Sequence, residues 1–207
     1  MLGYYNYTVI LTYIGMLSGF TGITFAMNGN IYPALICLMF AGFCDMFDGK
    51  IASTRERTRA EKRFGIQIDS LSDLICFGVL PAVIVCAYCE GSRLSIIISG
   101  FYALCALIRL AWFNVDEEER QSEQTGAREN YLGMPVTTVA LLLPTLMGAD
   151  KLAGLPTGRI APAALVVFAV LFLSPIRVKK PARIGKLVML LLGCAALLIV
   201  ILAGAEL

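Results

Sequence analysis

Seven apolar stretches recur along the chain, and each is close to the roughly 20 residues that a helix needs to cross a bilayer. They run from Tyr7 to Met27, Ile31 to Ala52, Ile66 to Tyr88, Leu94 to Phe113, Leu132 to Met147, Ile160 to Ile176 and Ile184 to Ala203. Hydrocarbon offers no partner for a free backbone N–H or C=O, so this pattern predicts an all-α, polytopic membrane bundle. Of the 207 residues 58 % are apolar, which leaves no room for a separate soluble domain, and residues 1–207 read as one integral membrane unit. Pro135 and Pro144 are predicted to kink the short fifth stretch. The first stretch lacks a basic leader and a small-residue cleavage site, so it is expected to be retained.

Charge and cysteine usage exclude several functions. A net charge of +2 is too small for a nucleic-acid partner, and the basic residues sit in short clusters between apolar runs. Those clusters report topology. Arg55, Arg57, Arg59, Lys62 and Arg63 join the second and third stretches, and Arg177, Lys179, Lys180, Arg183 and Lys186 join the sixth and seventh. The other side receives Arg93, Lys151 and Arg159, which places the two basic connections in the cytoplasm. The acidic segment from Asn114 to Asn130 reads as a solvated connector with a short helix. Seven cysteines, mostly inside apolar runs, act as small hydrophobes, and the lone pair Cys86 and Cys89 does not make a metal site.

Four aspartates break the apolar pattern. Asp45 and Asp48 lie three apart at the end of the second stretch, and Asp69 and Asp73 lie four apart at the start of the third. Both spacings place a pair on one helix face. The short basic linker between them predicts an antiparallel hairpin with all four carboxylates in one pocket. Such a pocket requires compensating cations. Lys50 alone cannot balance it, and a chain without histidine offers oxygen ligands that suit Mg2+ or Mn2+. Two divalent ions would neutralise the four charges, an arrangement suited to phosphoryl displacement. Gly49 and Ala52 follow Asp48, and Gly65 precedes Asp69 by one turn, so the surface beside the acids is bare. Small residues there serve either close helix packing or a close-lying ligand, and their place beside the acids favours a ligand.

The pattern Asp45-x2-Asp48-Gly49-x2-Ala52, then Gly65-x3-Asp69-x3-Asp73, resembles the signature of the CDP-alcohol phosphatidyltransferases. The stretches ILTYIGMLSGF, DSLSDLICFGVLPA, RLAWFN and YLGMPV resemble its phosphatidylserine synthase branch, and the likeness extends to about Arg177. The resemblance implies a six-helix core over about residues 4–177 plus an added C-terminal span over 184–204, packed on the core or on another subunit. It implies CDP-diacylglycerol and L-serine as substrates and a homodimer by analogy, while the basic connections are what predict an active site facing the cytoplasm. Asp45, Asp48, Asp69 and Asp73 would hold two Mg2+ or Mn2+ ions, and Asp73 would be the general base. Gly49, Ala52 and Gly65 would line the CDP-lipid site. Two departures stand out: Ser53 replaces an arginine that the family carries after the alanine, and Trp112 stands where a second arginine is common. Arg55 is the nearest cation to replace the first. Arg109, an isolated charge near the cytoplasmic end of its stretch, is a candidate for a phosphate or the serine carboxylate, with Asn114 as its companion. Rival readings are another acceptor (glycerol 3-phosphate, inositol phosphate or an amino alcohol), an ether-linked lipid donor, a cation transporter and an inactive scaffold.

Overall fold

The computed structural model describes residues 3–123, 130–153, 160–179 and 183–205. The first two helices take the bounds that hydropathy predicts. A 3-10 turn at Tyr7–Val9 leads into α1 (Ile10–Met27), and α2 spans Ile31–Ala52. Asn6 caps the opening turn, its side-chain oxygen accepting the Thr8 N–H at 3.1 Å. Gly29, with φ at +79°, supplies the left-handed residue that reverses the chain between the two helices.

The third helix begins well before its apolar stretch. α3 covers Arg59–Asp73, because Thr58 and Glu61 form a reciprocal capping box ahead of Ile66. Six residues in π-helical form, Leu74–Val79, connect α3 to α4 (Leu80–Tyr88), so Arg59–Tyr88 is one continuous rod. α5 (Arg93–Glu123) likewise outruns its apolar segment. The predicted connector starting at Asn114 is therefore helical as far as Glu123, since its Glu, Gln and Arg residues are good helix formers. Residues 124–129 of that connector, together with Arg159 and Lys180 of the basic clusters, lie outside the described residues.

The fifth stretch departs most from expectation. Asn130–Leu132 forms strand β1, which pairs antiparallel with β2 (Arg177–Lys179) in the register Tyr131 to Val178. Gly133, at φ +77°, donates its N–H to the Ile176 carbonyl at 2.7 Å and closes this ribbon. Pro135 then disfavours helix at the residue before it, so α6 begins at Val139 and runs to Leu152. α7 (Ile160–Leu173) stops before Pro175, and α8 (Arg183–Ala205) follows β2.

These elements make a membrane bundle. Among the described residues four helices are long and apolar enough to cross a bilayer: Tyr7–Met27, Ile31–Ala52, Arg59–Tyr88 and Arg93–Glu119. α1 packs along α2 and α4, α5 lies against α4 and α7, and α8 packs on α6 and α2. The seventh apolar stretch, as α8, thus covers its own chain, with Val200 and Ala203 buried. Leu35, Leu38, Phe77, Ile84 and Leu143 form the shared core, while Leu17, Ile97 and Val170 point outward. Outward apolar side chains on helices of this length meet lipid.

Candidate active site

Three helices build the acidic pocket. α2 carries Asp45 and Asp48 on one face, α3 carries Asp69 and Asp73, and α1 lays Thr12 and Gly15 across the gap. Carboxylate oxygens of Asp45, Asp48 and Asp69 lie within 4.8 Å of one another. Asp73, one turn further along α3, lines the same pocket. The hairpin expected from the sequence therefore does bring the four acids together.

Hydrogen bonds fix the arrangement on α1. Thr12 Oγ1 donates to Asp48 Oδ2 at 3.3 Å, and Ser72 Oγ donates to the Thr12 carbonyl at 3.4 Å. One turn on, Cys76 Sγ donates to the Gly15 carbonyl at 3.4 Å. Close approach of α1 is what makes these bonds reachable, and Gly15 and Gly19 permit it. The π segment begins directly after Asp73. Such a turn widens the helix and leaves backbone groups without their usual partners. Tyr102 on α5, fully buried, supplies one: its hydroxyl donates to the Phe77 carbonyl at 2.5 Å. Tyr102 thereby ties α5 to the π segment that follows Asp73.

The remaining sequence candidates divide. A Cβ added to Gly49 would meet no atom within 4 Å, and one added to Gly65 would meet only Arg57 Nη1 at 3.1 Å. Helix packing therefore requires neither glycine. Ala52 ends α2, and Ser53 Oγ turns back to donate to the Lys50 carbonyl at 2.7 Å, so Ser53 serves its own helix end. Arg55 pairs with Glu61 at 3.7 Å.

Arg109 is buried on α5 and does not line the acidic pocket. Its guanidinium carbon is 5.3 Å from the Trp112 ring centroid and 5.9 Å from that of Phe113, and its Nε lies 3.3 Å from where a Cβ on Gly133 would be. The aromatic faces stabilise that charge where the chain enters the ribbon. Asn114 accepts from Ser70 Oγ at 2.6 Å and donates to Gln67 Oε1 at 3.5 Å, which braces the flank of α3. Sequence reasoning missed Thr12, which bonds Asp48, and Tyr102. A hydroxyl three residues ahead of Gly15 in an apolar run was the available signal for Thr12.

The sequence profile of the CDP-alcohol phosphatidyltransferases matches residues 5–205. The chain belongs to this family. Among related proteins, the CDP-diacylglycerol–serine O-phosphatidyltransferase of Saccharomyces cerevisiae is 35 % identical over 63 % of this chain and 51 % of its own length. The archaetidylserine synthase of Methanothermobacter thermautotrophicus is 28 % identical over 85 % of this chain and 70 % of that protein. The CDP-diacylglycerol–serine O-phosphatidyltransferase of Helicobacter pylori is 28 % identical, over 83 % and 69 %. The match to the yeast relative thus spans about half of that protein's length. As a phosphatidyltransferase-family member this chain is an integral membrane protein, in keeping with its four long apolar helices.

The donor set fits a hard divalent cation. Three carboxylates converge, and among the described residues neither ion pair involves any of the four aspartates. Oxygen ligands without nitrogen or thiolate suit Mg2+ and similar ions.

Proposed function

We propose that this protein transfers a phosphatidyl group from CDP-diacylglycerol to L-serine, giving phosphatidylserine and CMP. The observation that carries the reading is the convergence of Asp45, Asp48, Asp69 and Asp73 into one pocket without a compensating arginine or lysine among the described residues. The names of the relatives point to serine as the acceptor.

In this reaction the serine hydroxyl oxygen bonds to the lipid-side phosphorus, the bond from that phosphorus to the bridging oxygen breaks, and CMP leaves with the bridging oxygen. Asp73 accepts the hydroxyl proton. Asp45, Asp48 and Asp69, joined by Asp73, would hold two Mg2+ or Mn2+ ions, which when bound would supply charge neutralisation for phosphate oxygens. Thr12 orients Asp48, and the bare surface at Gly49, Ala52 and Gly65 admits the cytidine nucleotide. The pocket opens to the cytoplasm, a placement supported by the basic linker at 53–58 beside it. Serine can then reach it from water.

The archaeal relative's name favours a second version of the same reading, an ether-linked CDP-lipid donor with the same serine acceptor. Purified protein in lipid-detergent micelles, given labelled serine and either CDP-lipid, tests both. CMP is expected to appear one for one with labelled lipid, and EDTA should stop the reaction. Transfer to glycerol 3-phosphate but not to serine would overturn the acceptor. No CMP release from either donor, at any divalent concentration, would overturn the enzyme.

A further inference from the structure

The connection from α2 to α3 is rich in arginine, and its cations are not equivalent. Of the two local acids, Glu56 is exposed and belongs to neither ion pair among the described residues, and Glu61 is engaged. Its Oε2 takes the Thr58 N–H at 2.8 Å and the Thr58 hydroxyl at 3.1 Å, and its Oε1 takes Asn6 Nδ2 at 3.2 Å and faces Arg55 Nη2 at 3.7 Å. Arg63 is engaged with Glu118 on α5 at 3.2 Å. Arg57 belongs to neither of the two ion pairs among the described residues. It is nevertheless half-buried, whereas its neighbours at 53–56 and 58–60 are exposed.

What Arg57 lies against is informative. Its Nη1 stands 3.1 Å from the point where Gly65 would carry a Cβ. Gly65, Asp69 and Asp73 follow one another at four-residue intervals along α3, so they share a face, with about 6 Å of rise between successive members. The guanidinium therefore sits over the acid-bearing face of α3, roughly one turn outside Asp69. An uncompensated cation held beside a site for divalent ions is unfavourable unless an anion lies between them. A guanidinium presents several N–H donors in a fixed fork, which matches the oxygens of a phosphate.

The geometry points to Arg57 as the residue that grips the phosphate of the cytidine nucleotide, at the outer edge of the acidic pocket and across the bare face of Gly65. This inference rests on the reading above, that the pocket takes a CDP-lipid, and it assigns the anion contact to Arg57 in place of Arg55. The glycine then has a role in which both partners share: it keeps the strip clear, and the arginine closes over it.

The test uses the purified protein and two probes, CMP and cytidine, with Arg59→Ala as a control that removes an equal charge two residues away, at the first position of α3. Arg57→Ala is expected to weaken CMP binding by about 10- to 100-fold, the scale of a lost charge-assisted hydrogen bond. Cytidine, which has no phosphate, should bind Arg57→Ala as it binds wild type. Arg57→Lys should fall between, and the KM for serine should stay put while that for CDP-lipid rises. Equal effects of Arg57→Ala and Arg59→Ala on CMP would overturn the assignment, as would parallel losses for CMP and cytidine. Wild-type protein that binds no CMP at all would overturn the CDP-lipid reading as well, which separates the two failures.

Discussion

Two sets of glycines sit a few residues from the same pocket, and they do opposite things. On α1, a Cβ added to Gly19 would stand 2.6 Å from Cys76 Sγ, and one added to Gly22 would stand 2.9 Å from both Cys37 Cβ and Leu80 Cδ2. On α2 and α3, the same addition at Gly49 meets nothing within 4 Å, and at Gly65 it meets only the end of the Arg57 side chain. The first set lets helices touch. The second keeps a surface empty beside four acids. Glycine beside a charged pocket is thus a sign of ligand space only when no neighbouring helix fills the gap, and here the two cases can be told apart atom by atom.

That contrast can be broken by substitution. The largest effect is expected on the acidic side at Asp73→Asn, which should lower turnover by about 10²- to 10⁴-fold, the usual contribution of a general base. Thermal stability measured without divalent ions should hold or rise, because one of four clustered like charges is gone. Near-normal CMP release by this variant would remove Asp73 from its role. Next comes a matched pair. Gly19→Leu overfills a closed contact and should cost roughly 1–3 kcal/mol of stability, seen as a lowered melting temperature. Gly65→Leu should leave the melt in place and raise the KM for CDP-lipid several-fold. If both variants melt early, or both keep full affinity, the distinction between the two glycine sets fails. The smallest effect is expected at Tyr102→Phe. Losing its bond to the Phe77 carbonyl should cost about 1 kcal/mol, with apparent divalent-ion affinity weakened more than the affinity for serine. An unchanged divalent-ion titration would show that the π turn holds its shape without the tyrosine.

Much of this site was legible before the fold was seen, because an aspartate pair spaced by three or four can face only one way on a helix. The bounds of α1 and α2 followed from hydropathy: α1 is apolar throughout, and α2 is apolar from Ile31 to Cys44 before its two aspartates. Hydropathy failed where helices are amphipathic. The start of α3 at Arg59 is set by the Thr58 and Glu61 capping box, and α5 continues past Phe113 through residues that favour helix in water. Neither feature raises an apolar average. The ribbon of Asn130–Leu132 with Arg177–Lys179 joins residues far apart in sequence, and nothing local announces it. Arg109 illustrates the limit for single residues. An isolated charge in an apolar run pointed to the pocket, yet the fold sets it over Trp112 and Phe113 beneath Gly133. Arg55 is the arginine nearest to Ala52 in sequence, yet its guanidinium faces Glu61, and Arg57 is the one that lies against Gly65.

The short length of α6 bears on the surrounding lipid. Its 14 residues rise about 21 Å, against about 33 Å for the 22 residues of α2. Leu142 and Leu146 on its outer side are exposed. A bilayer around this molecule therefore meets helices of unequal height, at a cost of fractions of a kcal/mol for each ångström of mismatch. Acyl chains should shorten, splay or tilt beside α6, so the protein's fit to its membrane depends on tail length as well as on headgroup.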